Sequence, residues 1–173
     1  MGNKGGASEE VNICLDCGMC CDGTIVGQVT IREEEFAGLD GVLEFEKEGS
    51  NGCILTPCSK LCGGCTVYPD RPQECRKFEC DVLVKVNQGS LAGSDALMLI
   101  AEMKVELDRL KTAMKSLPVV LSSKAFFFKM KELAQKREWL ESNYSLSPSQ
   151  LGLFSEVQEF SENLDSTFGV PVP

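Results

Sequence analysis

The sequence predicts an α+β protein in two parts, a small cysteine-rich N-terminal module followed by a three-helix C-terminal region. Three observations predict this. All ten cysteines fall between Cys14 and Cys80. That stretch mixes short β-branched runs with glycine and proline turn signals. The rest of the chain instead carries apolar residues at alternating spacings of three and four, the pattern of amphipathic helices. A hydrophobic content of 43% is enough for an ordinary packed core.

The composition changes at Asn87-Gln88-Gly89-Ser90, which sets the module at residues 11–89 and the helical region at 90–167, with 1–10 and 168–173 as flexible ends. In the module, residues 24–31 are β-branched enough for a strand. Thr30 with Glu33 has the form of a capping box, so a short helix is expected from Ile31 to Leu39. Gly49 to Gly52 is a turn, Asp70 a candidate N-cap, and residues 82–86 a second strand. In the helical region Ser94 is a candidate N-cap. Ala96, Ile100, Met103, Leu107, Leu110, Met114 and Leu117 then form one apolar stripe, ended by Pro118. A second helix from Ser122 or Ser123 carries Phe126, Met130, Leu133 and Leu140. Ser147-Pro148 opens a third, with Leu151, Phe154, Val157 and Leu164. Such stripes ordinarily face a core. The stripe over 96–117 is also long enough to pair two chains, as a homodimer, or to dock a protein partner.

A formal net charge of −9 argues against a nucleic-acid partner. No run of 18 or more apolar residues is present, so no membrane span is expected. The first ten residues lack the apolar stretch of a secretory signal, which makes the cytoplasm the expected compartment. Thiols there stay reduced, and disulfides are rare.

The segment Cys14-Leu15-Asp16-Cys17-Gly18-Met19-Cys20-Cys21 puts four thiols into eight positions, and the sequence contains no histidine. Histidine general-base catalysis is therefore ruled out, and any metal site must be built on thiolates. Cys17 followed by Gly18 has the form of a knuckle, a turn whose amides point at sulfur. Cys14, Cys17 and Cys20 match the first three cysteines of a ferredoxin-like run, but Asp22-Gly23-Thr24 stands where its fourth would follow. Cys20 and Cys21 are expected to reach different metal atoms, since neighbouring side chains in extended backbone point opposite ways. The second group is Cys53, Cys58, Cys62, Cys65, Cys75 and Cys80. These spacings suit iron–sulfur or iron, with zinc as the alternative. The metal would staple the module.

Three blocks together carry a resemblance: Cys14-x2-Cys17-Gly18-x-Cys20-Cys21, then Gly52-Cys53-Ile54-Leu55, then Cys65-x-Val67-Tyr68-x-x-Arg71-Pro72-x-x-Cys75-Arg76-x-Phe78-x-Cys80. In this order they resemble the CxxCxxCC cysteine-cluster family, described as zinc- or iron-chelating. The resemblance covers roughly residues 12–80. It implies metal binding through Cys14, Cys17, Cys20, Cys21, Cys53, Cys65, Cys75 and Cys80. Cys58 and Cys62 are extra to the pattern and stand as additional candidate ligands. Arg71 and Arg76 would donate hydrogen bonds to the sulfurs and offset their charge, while Tyr68 and Phe78 would exclude water. The function expected is metal binding in an electron-transfer or sensing role. The alternative is a metal-dependent enzyme, redox or S-adenosylmethionine-dependent, that modifies protein by methyl transfer.

Overall fold

A computed structural model describes residues 12–171. The fold is α+β: seven α-helices and one small antiparallel sheet among the described residues. In chain order they are α1 (Ile13–Cys17), β1 (Gln28–Arg32), α2 (Phe36–Leu39), β2 (Glu46–Glu48), β3 (Asn51–Leu55), α3 (Gln73–Lys77), α4 (Asp81–Asn87), α5 (Gly93–Met114), α6 (Phe126–Asn143) and α7 (Pro148–Phe168). The sheet order is β1-β3-β2, with Val29 opposite Ile54 and Glu46 opposite Cys53.

Two apolar clusters form, and their division does not follow the compositional boundary. The larger joins Ile100, Leu107 and Leu110 of α5, Met130 and Leu140 of α6 and Phe160 and Leu164 of α7 to Ile13, Met19, Ile25 and Val82 from the cysteine-rich part. Its Leu side chains are essentially sealed from water, so truncating any one to Ala removes about 2–5 kcal/mol. The smaller cluster, Ile31, Leu39, Leu43 and Ile54, sits under the sheet.

Several elements differ from the sequence-based expectation. Residues 82–86 are helical, within α4, because Val82 inserts into the large core while α4 packs on α5 and α7. The run from Ile31 is extended as far as Arg32, then becomes a 3-10 turn over Glu33–Glu35 before α2. Asp70 closes a 3-10 turn, and Pro72 precedes α3 as its N-cap. Helix α5 begins at Gly93, ahead of Ser94. Helix α7 does start as expected: the Ser147 hydroxyl accepts from the Gln150 amide, and the Gln150 side chain accepts from the Ser147 amide. Leu151 is 43% exposed, whereas Leu153, Phe160 and Phe168 fill the core face of α7. Phe168, expected in a flexible end, is 1% exposed and helical. The expected flexible segment 1–10 and the last two residues lie outside the described ones.

Of the stripe on α5 and just after it, Ala96, Ile100, Leu107, Leu110, Met114 and Leu117 are buried in the chain's own core, and Met103 packs half-buried against it. Among the described residues, no helix is long and apolar enough to cross a membrane.

Helix α6 begins at Phe126, and Ser122 and Ser123 have another task. Their amides, and the Ser122 hydroxyl, donate to the Glu132 carboxylate, which Lys136 also holds at 2.8 Å. Burial of this side chain, 13% exposed, opposes ionisation, but these donors outweigh it and pull the Glu132 pKa from 4.5 to about 2. A carboxylate with a depressed folded pKa stabilises the fold above its unfolded value, and that stability is lost as pH falls through the folded value. The Glu132 contribution should therefore be present above pH 4.5 and vanish towards about pH 2. Glu132→Ala should cost about 1–2 kcal/mol at neutral pH, read from the urea midpoint, with the gap to wild type closing in acid.

Candidate functional site

A cavity of about 290 Å³ lies between the two apolar clusters. Ile13, Ile100 and Phe168 bound it on the helical side, and Val29, Leu43 and Ile54 on the sheet side. Eight of the ten cysteines line it: Cys14, Cys17, Cys20, Cys21, Cys58, Cys65, Cys75 and Cys80. All ten cysteines are free thiols.

Local structure explains how positions so far apart in the chain reach one wall. Cys14 and Cys17 are on α1, which ends at Gly18 with φ +65°, a left-handed conformation that favours glycine. Cys20 and Cys21 follow in a tight turn closed by the Asp22 amide donating to the Gly18 carbonyl. Cys58 is tied directly to that turn, since its amide donates to the Cys21 carbonyl at 2.8 Å. Cys65 ends a small loop that lies against α1, where the Cα of Gly64 faces the Leu15 carbonyl. Cys75 is carried on α3. Glu35 holds that helix to the end of β1 by accepting from the Gln73 amide at 2.7 Å. Cys80 precedes α4 as its N-cap.

Backbone amides near four of these sulfurs favour the ionised form: Met19 at Cys17, Lys60 at Cys58, Val67 at Cys65, and Leu83 and Val82 at Cys80. Such donors favour a thiolate. Burial works the other way and prevails. It pushes Cys17 up to about 11 and Cys75 to about 12, and also raises Cys58, Cys65 and Cys80. The sulfurs of Cys20 and Cys21 lie 4.0 Å apart, where either can donate to the other; this pairing raises the Cys20 pKa and lowers that of Cys21. At Cys17, Cys58, Cys65 and Cys80, then, burial holds the thiol form beside dipoles that favour the thiolate, and a bound cation would shift that balance to the thiolate.

Arg71 lines the cavity with its guanidinium stacked 3.6 Å over the Tyr68 ring. Its Nε is buried and has no hydrogen-bond partner among the described residues. Tyr68 and Phe78 line the cavity too. Arg76 does not: it is exposed on the outer side of α3. Outside the cavity lining, Lys104 of α5 donates to the Asp16 carbonyl at 2.7 Å and Lys111 pairs with Asp22 at 3.7 Å. Sequence reasoning missed both lysines. Their spacing of seven on one helix was the available signal.

Two further cysteines stand apart. Cys53, expected as a ligand from the resemblance, is on β3 beside Glu46 and Glu48, on the opposite strand face from Ile54, which lines the cavity. Cys62 is exposed at the tip of its loop. Cys58, extra to the family pattern, is on the cavity wall.

The residues suit a thiophilic metal in chemistry and space: soft donors, room between them, and an unpartnered guanidinium N–H for an anionic sulfur to accept from. Among the described residues, no three or more Cys, Asp or Glu side chains are gathered closely enough to hold an ion as they stand. Coordination would require the thiols to turn inward from the wall they share. No family model, curated protein or solved structure matches this chain.

The cysteine turn is clamped by its surroundings. Gly23 has φ +83°, and a Cβ there would meet Thr56 Oγ1 at 2.7 Å and Ala125 at 2.9 Å. Thr56 Oγ1 itself donates to the carbonyls of Val26 and Gly27, and the Phe127 amide donates to the Gly23 carbonyl. Gly23→Ala should thus destabilise by about 2 kcal/mol or more, from backbone strain plus overpacking. Gly41→Ala has a similar φ of +72° but open space around it, and should cost only about 1 kcal/mol. Equal losses in thermal unfolding would show that the clamp is not tight.

Proposed function

We propose that this chain is a metal-binding protein whose cavity takes iron–sulfur or iron, with zinc as the alternative, in an electron-transfer or sensing role. The carrying observation is that eight free thiols from five separate stretches of chain line one cavity, flanked by apolar clusters. Burial of so many sulfurs without disulfides has no packing rationale of its own. Cysteine is a small side chain, and apolar residues would fill the space better. The resemblance to the CxxCxxCC cluster family supports the same reading from the sequence side.

In this reading the metal staples the sheet-bearing part onto the three-helix part, across the gap that the two apolar clusters leave. Cys14, Cys17, Cys20, Cys21, Cys58, Cys65, Cys75 and Cys80 would supply the thiolates. Arg71 and Lys104 would offset their charge, and Tyr68 and Phe78 would keep water out. A bound iron–sulfur group would supply one-electron redox chemistry; bound zinc would supply rigidity alone. More sulfurs line the wall than one ion takes, which favours closed coordination over the open position a metal-dependent enzyme needs. The compartment proposed is the reducing cytoplasm, where the thiols stay available.

The full chain purified without oxygen should contain stoichiometric metal. Cys17→Ser and Cys75→Ser should each lower it, measured by elemental analysis. Absorption in the thiolate-to-iron charge-transfer region identifies iron, and a colourless zinc-containing protein identifies the alternative. Unchanged metal content in both variants would count against these ligands.

A further inference from the structure

We propose that on metal binding the wall thiols turn inward onto two centres side by side, Cys14, Cys17, Cys20 and Cys80 onto one against the helical core, and Cys21, Cys58, Cys65 and Cys75 onto the other against the sheet. This rests on the metal-binding reading above and adds the number of centres and the thiols of each.

Packing separates the sulfurs first. Cys17, Cys20 and Cys80 lie against the large helical cluster, whereas Cys58 lies against the cluster under the sheet. The elements that carry the other sulfurs draw the same line. Cys14 shares α1 with Cys17, and α1 packs on α5. On the sheet side, Val67, two residues past Cys65, lies against the same cluster as Cys58, and α3, which carries Cys75, packs on β1. The sets touch at one place, the neighbouring sulfurs of Cys20 and Cys21, 4.0 Å apart. The backbone bond from Cys58 to Cys21 attaches the sheet-side loop to the second residue of that pair.

Three further features divide evenly. Each set has four thiols, the number that closes a tetrahedral zinc site or caps a four-iron cluster. Each has two sulfurs with backbone amides close by, Cys17 and Cys80 in the first, Cys58 and Cys65 in the second. Each also has its own buttressed cation. Lys104, anchored on the Asp16 carbonyl, acts on Cys17, and Arg71, stacked on Tyr68, acts on Cys21, Cys65 and Cys75. Four thiolates around a divalent ion leave about two excess negative charges, so one fixed cation per centre relieves each and limits repulsion between them. The arrangement also answers why Cys58 and not Cys53 is required: the sheet-side set is one short without it.

The test compares metal content per chain, loaded without oxygen, across full-length variants. Cys80→Ser and Cys58→Ser should each retain half of the wild-type metal, whatever the nuclearity. The double variant should retain almost none, and Cys53→Ser should retain all. Wild-type protein loaded with cadmium as a probe should bind two ions and show two uncoupled cadmium resonances, a readout that needs no variant to fold. A single centre, in which either substitution removes all metal and the wild type shows one cadmium resonance or a coupled pair, would overturn the proposal while leaving metal binding intact. Loss of half the metal in Cys53→Ser would overturn the ligand sets. Wild-type protein that takes up no metal would overturn both readings.

Discussion

The structure depends on a gap that its apolar residues do not close. Ile31, Leu39, Leu43 and Ile54 make one cluster, the helices make another, and the space between them is walled by sulfur. Hydrophobic burial favours merging such clusters, because apolar surface facing a cavity forgoes both dispersion contacts and dehydration. A fold that holds them apart with eight cysteines has given up that gain in favour of donors. The cost reappears in the thiols, whose ionised forms are disfavoured by burial at Cys17, Cys75 and Cys80. Only an added positive charge can reverse that balance at neutral pH.

The rest of the molecule can be understood as bracing around this gap. Glu35 holds α3 to β1, Thr56 holds the end of β3 to the segment after the cysteine turn, and Phe127 ties α6 to Gly23. Lys104 and Lys111 bring α5 against the same turn from the other side. The long helices thus do more than form a core of their own. They supply the floor of the cavity through Ile100 and Phe168, and charge through Lys104. In an acidic chain, with net charge −9, Arg71 and Lys104 lie where thiolates would gather.

The legible parts of the sequence were those where local chemistry and tertiary packing agree. The stripe from Ala96 to Leu117 and the Ser147-Pro148 start are both present, since helical periodicity and capping are local properties. Residues 82–86 show the opposite case. Four of the five are β-branched or leucine, and burial of Val82 against α5 and α7 overrode strand propensity. Phe168 departs from the expected flexible end because α7 runs through it into the core, and Leu151 because it lies off the core face of that helix. One residue's rotation on a helix moves a side chain from core to solvent.

By itself the sequence determined the residue chemistry: ten thiols, no histidine, a glycine-ended turn at Cys17-Gly18, and a compositional break before a helical region. Residue type and short-range spacing suffice for those. Which thiols share a wall was decided only in three dimensions. Strand alternation turned Cys53 away beside Glu46, a backbone bond to Cys21 brought Cys58 in, and α5 delivered Lys104 from far along the chain. Those outcomes follow from register and packing between distant segments, and no spacing along one chain encodes them.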